Sequence, residues 1–577
     1  MRKGQVLGIS AYYHDSAAAL LDEHGDIIAA AQEERFSREK HTNTFPSRAI
    51  QYVLTEGNCT ISDLDAVVFY DKPLLKFERL LETAHAFAPQ SARWFATTAP
   101  YWARSLFSQR TRIRRELQKI SKGATVPEIL FTEHHLSHAA SAFYPSPFNE
   151  AAILSVDGVG EWTTASIGIG RGNEIEILKR QDFPHSIGLF YSAVTSFCGF
   201  RVNEDEYKIM GLAAYGGQDS KKYEVLMRKE MFDVKSDGSI GLNMEYFNFV
   251  GTTMFNATAW RQLLSVEARS SDSPVGQTYM DIARAAQDIL EDSMMRLART
   301  ARELTGMRNL VTAGGVALNC VANGRLLHEE IFDDIWIQPA AGDAGGALGA
   351  ALAGHCIALG RKRYRENMDA MHGTLLGPQF DEKDVASLPI TPKIQHKNTK
   401  ELCRDVARRL ANGEVIGWVQ GRMEWGPRAL GARSILADPR SSEMRERLNT
   451  IIKRRESFRP FAAAVLSEDA SDYFEIDRAS PYMLFTFQTT ELGRQALPAA
   501  IHVDGSSRVQ TVERDTNPLF HELLASFKEL TGCSALLNTS FNSSSEPIVC
   551  TPSDAIKSYK NMGLDCLVIG LSVFDMH

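Results

Sequence analysis

Four side chains in the first part of the sequence have the types and spacing of a metal site. His134 and His138 stand four residues apart in EHHLSHAASAF, so a helix would project both imidazoles from one face. Asp157 and Asp343 each follow a strand-like apolar run and lie beside glycines, where carboxylates are well placed to meet at a cleft. Such a donor set suits iron, manganese or zinc. An HxxxH pair alone more often caps a core or lies at the surface, and the two aspartates are what favour a metal.

Three glycine-rich segments follow predicted strands and could bring the backbone close to a phosphate. They are DGVGEWT (157–163), TAGGVALNC (312–320) and GDAGGALGA (342–350). Glycine permits close approach of the backbone, and a helix that begins there offers free amide donors. The sequence contains no GxxxxGK[ST], so none of the three is a P-loop. Together they favour a nucleotide site, whereas each one alone is equally well explained as a tight structural turn.

The last third of the sequence contains polar side chains that could bind a small oxyanion. They combine a KxR pair and an SxN pair with two further arginines: Arg428, Lys453, Arg455, Arg508, Ser540 and Asn542. Guanidinium groups favour bidentate phosphate contacts, and the hydroxyl and the amide could complete the hydrogen bonds of the anion. For Arg433 and Arg454 we expect surface ion pairs instead.

Alternating apolar runs predict the elements that position these residues. The chain should begin with a β-meander of three strands, Gln5–Ser10, Ala17–Asp22 and Ile27–Gln32. Further strands and helices then mix along the chain, which indicates an α/β fold. The predicted strands are Ala66–Tyr70, Ala151–Val156, Ala165–Gly168, Asn309–Thr312 and Val415–Gln420, and the predicted helices are Ser47–Glu56, Tyr279–Thr305 and Thr399–Asn412. A loose, proline-containing stretch after Met371 predicts two domains, 1–375 and 376–577.

Bulk properties limit the classes of function. A chain of 577 residues is too long for one core, and its net charge of −8 gives no general attraction to nucleic acid. No apolar run is long enough to cross a bilayer, the start does not resemble a signal peptide, and the eight cysteines form no CxxC. A cytoplasmic protein is expected. The basic clusters 104–122 and 361–365 are interpreted as solvated helix faces. The aromatic residues Trp94, Phe95, Tyr101 and Trp102 are interpreted as core or oligomer packing residues, with the lining of an acceptor pocket as the alternative.

Several segments resemble the NodU/CmcH family of O-carbamoyltransferases, in order along nearly the whole chain. They are HDSAAAL, EERFSREKH, EHHLSHAASAF, VDGVGE, YKIMGLAAYG, TAGGVALNC and GDAGGALGA. The first part is also similar to TsaD-like proteins, which implies an actin-like (ASKHA) ATPase-type domain. The KxR and SxN pairs are similar to YrdC-like domains, which implies a YrdC-like α/β C-terminal domain that binds carbamoyl phosphate.

The resemblance implies a site for each co-substrate and for the metal. His134, His138, Asp157 and Asp343 would hold a divalent ion, usually iron(II), with manganese, magnesium or zinc as alternatives. The residues expected to bind ATP are Gly158, Lys208, Gly211, Gly314, Gly315 and Asn319.

The family reaction has three steps: carbamoyl phosphate is cleaved to carbamate, carbamate attacks ATP to form carbamoyl adenylate, and an acceptor hydroxyl takes the carbamoyl group. His14 is the candidate general base for the last step, because its ordinary pKa lies near working pH and it follows the first strand. A histidine that only bonds within its own loop is the alternative. The acceptor is expected to be a small molecule, such as an antibiotic, a sugar or another natural product, with no nucleic acid or membrane partner. A homodimer is compatible with these expectations.

Two other functions remain open at this stage. A fused tRNA threonylcarbamoyl-adenosine synthase would use both domain types, but it would need a basic face for tRNA, which the charge of −8 does not favour. An actin-like ATP-dependent scaffold would need the glycine segments but not the KxR and SxN pairs.

Overall fold

The computed structural model describes residues 4–89, 91–249, 253–364 and 369–575, without the side chains of Arg93, Trp94 and 101–106. Trp94, Tyr101 and Trp102 of the predicted aromatic group therefore lie outside the described side chains. The chain divides into two compact units. The first contains Met1–Glu33 and Asn43–Ala370, and the second contains Glu34–Thr42 and Met371–His577. The second unit thus begins at Met371 rather than at 376, and it includes a short segment from near the start of the chain, which was not anticipated.

The strands of the first unit form two five-stranded sheets and one small hairpin. They are β1 (Val6–Ser10), β2 (Ala17–Leu21), β3 (Ile27–Gln32), β4 (Ala66–Phe69), β5 (Glu128–Phe131), β6 (Glu150–Val156), β7 (Thr163–Arg171), β8 (Glu174–Asp182), β9 (Phe232–Val234), β10 (Ile240–Leu242), β11 (Asn309–Ala313) and β12 (Asp334–Ile337). All strands predicted for this part of the chain are confirmed, with ends shifted by few residues.

The helices up to residue 353 belong to the first unit except for the first one, which lies in the second unit. They are α1 (Glu34–Ser37), α2 (Ser47–Glu56), α3 (Pro73–Ala86), α4 (Ala92–Phe107), α5 (Gln109–Ile120), α6 (His134–Phe143), α7 (Ile187–Phe197), α8 (Glu206–Ala213), α9 (Ser220–Glu230), α10 (Ala257–Leu264), α11 (Gln277–Thr305), α12 (Cys320–His328) and α13 (Asp343–Ala353). No helix in the described ranges is long and apolar enough to cross a membrane.

The two large sheets of the first unit repeat one topology. In the first sheet, of order β3-β2-β1-β4-β5, an antiparallel meander is continued from β1 by two parallel strands. The second sheet has order β8-β7-β6-β11-β12 with the same strand directions. This repeat of topology occurs without a recognisable repeat of sequence, and it is the arrangement of a two-lobed actin-like ATPase. The predicted actin-like fold of the first unit is confirmed.

Helix α13 packs against strand β1 and helix α6 at very short range. A Cβ atom built at Gly349 would lie 1.8 Å from the carbonyl oxygen of Ser137, and one at Gly8 would lie 1.9 Å from that of Ala347. Any side chain at either position would force the backbones apart, so glycine is required there. The close packing fixes α13, and with it Asp343, relative to α6.

The second unit is built around a nine-stranded mixed sheet. Its strands are β13 (Ile394–Gln395), β14 (Ile416–Val419), β15 (Arg433–Ala437), β16 (Ala462–Leu466), β17 (Thr486–Gln488), β18 (Ser506–Val512), β19 (Ala535–Ser540), β20 (Cys566–Ile569) and β21 (Ser572–Asp575). Their order in the sheet is β13-β21-β20-β14-β15-β19-β16-β18-β17. Its later helices are α14 (Glu382–Ala386), α15 (Thr399–Ala411), α16 (Ser442–Glu446), α17 (Ala470–Tyr473), α18 (Glu491–Ala496), α19 (Pro518–Thr531) and α20 (Pro552–Met562). This unit is α/β, as predicted, and its YrdC-like character stays a prediction.

The segment Glu34–Thr42 is bonded into the second unit by its arginines. The guanidinium of Arg35 donates to the carbonyl oxygen of Gly426 at 2.9 Å. Arg38 donates to the carbonyl oxygens of Ile548 at 2.6 Å and Pro547 at 2.8 Å. The segment is therefore a structural part of this unit rather than a linker.

Two expectations about basic residues are wrong. Arg433 is fully buried in β15, not at the surface, and its guanidinium donates to main-chain carbonyl oxygens, among them that of Pro378 at 2.9 Å. The part of the cluster 361–365 that the structure describes, 361–364, is not a solvated helix face. It is not helical, and Arg363 is 8% exposed and donates to carbonyl oxygens at the end of α6. In both cases the guanidinium satisfies buried backbone acceptors, which a charge count along the sequence does not reveal. Helix α5, in the cluster 104–122, does have the predicted solvated basic face.

Candidate metal centre and anion site

The four predicted metal ligands come from three elements of the first unit. His134 and His138 lie on α6, and Asp157 follows β6 directly. Asp343 is the first residue of α13. Because β6, β11 and β12 are parallel, their carboxyl ends lie at one edge of the second sheet, and this edge brings the aspartates to the helix.

The ligand atoms of these residues form one buried cluster. The two Nε2 atoms of His134 and His138 are 3.0 Å apart. His134 Nε2 lies 3.1 Å from Asp157 Oδ2 and 3.6 Å from Asp343 Oδ1. His138 Nε2 lies 3.7 Å and 3.9 Å from the same two atoms. All four side chains are buried.

These distances fit the coordination of one cation. Two donors about 2.1 Å from an ion are about 3.0 Å apart at right angles and about 3.4 Å apart at the tetrahedral angle. Within the described part of the chain, Asp343 Oδ2 and His138 Nδ1 are also buried without a hydrogen-bond partner. Two imidazoles and two carboxylates so arranged could hold a divalent metal, and this donor set does not select one metal.

Electrostatics of the cluster favour positive charge. Burial favours neutral imidazole, but Asp343 and Asp157 outweigh it and raise the pKa of His134 to about 9. Burial raises the pKa of Asp157, yet hydrogen bonds from the two histidines hold that pKa well below its usual range. His135, which points away to Ser166, has its pKa lowered to about 3 by burial and by the neighbouring histidines. The cluster therefore attracts a cation while His135 stays neutral.

His14 lies beside this cluster on the loop after β1. Its Nε2 is 3.7 Å from Asp343 Oδ2, and its Nδ1 is 2.8 Å from Asp15 Oδ2. Burial opposes its charged form, but Asp343 and Asp15 raise the pKa of His14 to about 9. Tyr12 and Asp15 have φ values of 74° and 55°, an uncommon conformation that is typical of functional loops. Asp15, which the sequence analysis missed, could have been noticed as the residue adjacent to the candidate base.

Two of the glycine segments meet at Asp157. The amide of Gly315 donates to Asp157 Oδ1 at 2.9 Å, so the second carboxylate oxygen ties the segment after β11 to the cluster. Gly314 has a φ of 92°, and a Cβ there would lie 2.2 Å from the carbonyl oxygen of Val156. Ser186, at the start of α7, donates to the carbonyl oxygen of Gly158 at 2.7 Å. Gly158, Gly314 and Gly315 are thus brought together at the sheet edge.

The remaining predicted ATP residues lie on α8 and α12, where each has internal partners. Lys208 pairs with Asp205 at 3.1 Å, and Gly211 is buried in α8. Asn319 caps α12 and exchanges hydrogen bonds with Gln287 at 2.9 and 3.1 Å. The contacts described for these three residues do not join them to the metal cluster.

Two glycines of the third segment have a packing role, and a role of this segment in nucleotide binding stays a prediction. Gly349 lies inside α13, where its close approach to α6 requires the absence of a side chain. An ideal Cβ atom at Gly345 would likewise lie 2.0 Å from the carbonyl oxygen of Ala340. Packing of α13 therefore accounts for these two glycines without a phosphate.

In the second unit, Lys453 binds the SxN segment. Its Nζ donates to the carbonyl oxygens of Ser540 at 2.6 Å and Asn542 at 2.7 Å, and to Asn542 Oδ1 at 3.2 Å. The three N–H groups of an ammonium are thereby directed at acceptors of the chain itself. Burial, together with Arg455 and Arg459, lowers the pKa of Lys453 well below its usual range. The structure brings Lys453, Arg455, Ser540 and Asn542 together, with Lys453 acting on the loop.

Arg508 and Ser540 share one face of the nine-stranded sheet. Side chains two residues apart on a strand point the same way, and Gln510 of β18 accepts a hydrogen bond of 2.8 Å from Asn538 of β19. The small residues of β16 lie between these strands. Arg428 lies in the loop before β15, which Asn538 and Gln510 tether through the carbonyl oxygens of Ala429 and Leu430. Asn538 was missed, although it stands two residues before Ser540 and thus on the same face.

Comparisons with known proteins agree with the segments quoted above. The family model described as "Carbamoyltransferase N-terminus" matches residues 5–352, and the one described as "Carbamoyltransferase C-terminus" matches residues 407–575. An uncharacterized protein of Synechocystis sp. is 48% identical, covering 98% of this chain and 95% of that protein. "Nodulation protein NolNO" of Sinorhizobium fredii is 38% identical, covering 97% of this chain and 78% of that protein. "Nodulation protein NolO" of Bradyrhizobium diazoefficiens is 40% identical, covering 76% of this chain and 77% of that protein.

The first family model covers more than half of the chain, and the two models together follow one another along it in the order of their names. The similarity to the NodU/CmcH O-carbamoyltransferases suggested by the sequence is therefore confirmed. The chain belongs to the carbamoyltransferase family and is a carbamoyltransferase enzyme.

Proposed function

We propose that the protein makes carbamoyl adenylate from carbamoyl phosphate and ATP and transfers the carbamoyl group to a hydroxyl of a small molecule. First, water cleaves carbamoyl phosphate, giving carbamate and phosphate. A carbamate oxygen then attacks the α-phosphorus of ATP, and pyrophosphate leaves. Finally the acceptor oxygen attacks the carbamoyl carbon, AMP leaves, and the hydroxyl proton goes to a base.

The observation that carries this proposal is the buried cluster of His134, His138, Asp157 and Asp343 in a chain of the carbamoyltransferase family. A cation there would neutralise charge that develops on phosphate oxygens. Asp157 contributes in a second way, because its Oδ1 holds the amide of Gly315 and so orders the glycine segment beside the cluster. An ordered segment beside the cluster is suited to meet nucleotide phosphates without reorganisation.

His14 is our candidate for the proton acceptor in the transfer step, which requires its neutral form. Burial opposes the charged form, but Asp343 and Asp15 raise the pKa of His14 to about 9 in the metal-free protein. A cation at the cluster would offset the charge of Asp343 and so favour the neutral ring. Its Nδ1 faces Asp15, an arrangement that fixes the ring and leaves Nε2 toward Asp343 and the cluster. A base in this position would be close to an acceptor hydroxyl that reacts beside the nucleotide. General-base catalysis typically contributes about 10²–10⁴-fold to a rate.

The second unit supplies the site for carbamoyl phosphate in this proposal. Arg508, Ser540 and Asn542 would contact the phosphate, with Arg428 and Arg455 as further cationic groups. Lys453 would act mainly by holding the SxN loop, since its three protons already meet acceptors of the chain. We propose that the acceptor is a small hydroxyl compound rather than a nucleic acid.

The test is incubation of the full chain with ATP, a divalent metal and labelled carbamoyl phosphate, without tRNA or threonine. Carbamoyl adenylate and pyrophosphate should appear. A requirement for threonine and tRNA would favour the threonylcarbamoyl-adenosine synthase reaction instead. Hydrolysis of ATP to ADP with no carbamoyl product would favour an actin-like scaffold and contradict the proposal.

A further inference from the structure

Helix α6 carries both histidines of the candidate metal centre, so its position decides where their Nε2 atoms lie. The helix is only ten residues long. A short helix leaves unpaired amides at its start and unpaired carbonyls at its end, and both ends need partners when they are buried. The side chains that meet these two ends are charged, buried and distant in sequence.

A carboxylate holds the first turn of α6. Both oxygens of Glu161 accept from the amide of His134, at 3.0 and 3.1 Å, and Oε1 also accepts from the amide of Lys72 at 2.6 Å. Glu161 is 5% exposed. Its neighbour Gly160 lies against the His134 ring, since an ideal Cβ there would be 3.0 Å from the ring. A negative group at a helix start also interacts favourably with the helix dipole.

A guanidinium holds the other end of α6. Arg363 donates from Nη2 to the carbonyl oxygen of Phe143 at 2.7 Å and from Nε to that of Tyr144 at 2.7 Å. It also donates to the carbonyl oxygens of Ser146 at 2.6 Å and Phe148 at 2.8 Å. These acceptors include the last residue of the helix and the turn that follows it. The positive charge thus complements the carboxyl end of the helix.

We propose that Glu161 and Arg363 are positioning residues for the metal, which clamp α6 at its two ends and set the separation between its histidines and Asp157. The inference rests on the proposed metal site. Glu161 and Asp157 lie in the same turn after β6, so one short segment supplies a ligand and also holds the helix that supplies two others. A slip of α6 along its axis would move both histidines relative to Asp157. The clamp opposes that slip.

The experiment uses the full chain and compares Glu161→Gln and Arg363→Met with two matched controls. Glu133→Gln removes a half-exposed carboxylate at the same end of α6 that makes no cap bond to the helix. Arg308→Met removes an exposed arginine paired with Asp333. In Glu161→Gln, an amide NH2 replaces one of the two oxygens that face the His134 amide, so two donors oppose each other.

Metal dissociation constants are measured by competition with a chromogenic chelator, using Zn(II), and the ligand field is followed with Co(II). Loss of groups that orient metal ligands typically weakens metal affinity by about 10–100-fold. We expect that loss in both variants, a changed Co(II) spectrum, and wild-type behaviour in both controls. A residue with only a structural role would lower the melting temperature of the metal-free protein and leave the Co(II) spectrum unchanged.

Conservative variants keep the test decisive if a primary variant does not fold. Glu161→Asp retains the charge on a shorter side chain, and Arg363→Lys retains the charge with fewer N–H donors. Both variants should lose less metal affinity than the primary variants. If the folded variants bind metal with a dissociation constant within threefold of wild type and show the wild-type Co(II) spectrum, this inference is overturned and the proposed metal site is not. A wild-type protein that binds no metal would overturn the proposed site and this inference with it.

Discussion

Protons and a metal ion compete for the same nitrogen atoms in the candidate centre, so the apparent metal affinity should depend steeply on pH. In the metal-free protein, burial opposes the charged imidazole, but Asp343 and Asp157 outweigh it and raise the pKa of His134 to about 9. At pH 7 a metal must therefore displace a proton. Well below that pKa, one competing proton weakens apparent affinity about tenfold per pH unit. Between pH 9, where the ring is already half protonated, and pH 7, the loss is about 50-fold.

The proton that weakens metal binding also stabilises the folded, metal-free protein. Because the pKa of His134 is raised from 6.5 to about 9 in the folded state, its protonated form stabilises the metal-free protein fully below pH 6.5. That contribution, on the order of 3 kcal/mol, is lost as the pH rises through 9. Bound metal should stabilise the fold increasingly over the same range, because metal binds only the deprotonated ring.

The assay is a chelator competition with Zn(II) from pH 6.5 to 9, with urea unfolding of the metal-free and metal-loaded forms at each pH. Calorimetry in two buffers of different ionisation enthalpy should show close to one proton released per metal near pH 7.5. The double variant His134→Ala/His138→Ala serves as the control. An affinity that does not change with pH, together with no proton release, would mean that His134 is not a ligand.

Four further predictions address the two units separately. The variant His134→Ala/His138→Ala should contain no bound metal by elemental analysis, and full occupancy would refute the ligand assignment. His14→Asn should make carbamoyl adenylate at a near-normal rate, while transfer to the acceptor falls about 10²–10⁴-fold; equal loss of pyrophosphate release and product would mean that His14 positions the nucleotide. Arg508→Ala should abolish phosphate release from carbamoyl phosphate and leave ATP binding near wild type, and the reverse result would exchange the two substrate sites. Gly314→Ala should lower the free energy of unfolding by about 1–3 kcal/mol, because its φ is 92° and its Cβ would meet the carbonyl oxygen of β6 at 2.2 Å, and an unchanged urea midpoint would contradict this.

Much of the site followed from local patterns in the sequence. The strands before Asp157 and Gly314 were predicted close to their observed limits, and their parallel pairing brings these residues to one sheet edge. The HxxxH spacing required only a helix, which α6 provides. Residues placed by strand ends or by helical periodicity were thus predictable, since both signals lie within a few neighbouring positions.

Residues that act through distant backbone atoms were not predictable in the same way. Arg363 lies more than two hundred positions from the carbonyls that it meets, and Arg433 is buried by acceptors from three separate segments. From their charge we expected both arginines to be exposed to solvent. In the folded chain they are buried instead, because their guanidinium groups donate to buried carbonyl oxygens that need hydrogen-bond partners. The packing role of Gly345 and Gly349 in α13 was not predictable for a related reason, because helix packing and phosphate binding both require a bare backbone.

The membership of Glu34–Thr42 in the second unit has a consequence for biosynthesis. This segment leaves the ribosome early, whereas its partners Gly426, Pro547 and Ile548 are made near the end of translation. Until translation is nearly complete, the residues that contact Arg35, Phe36 and Arg38 have not yet been made. The second unit can therefore complete its folding only after its last strands have been synthesised. A fragment that starts at Met371 would lack the segment Glu34–Thr42, which belongs to this unit. Adding a peptide of residues 34–42 to that fragment should therefore raise its stability, as complementation of an incomplete unit.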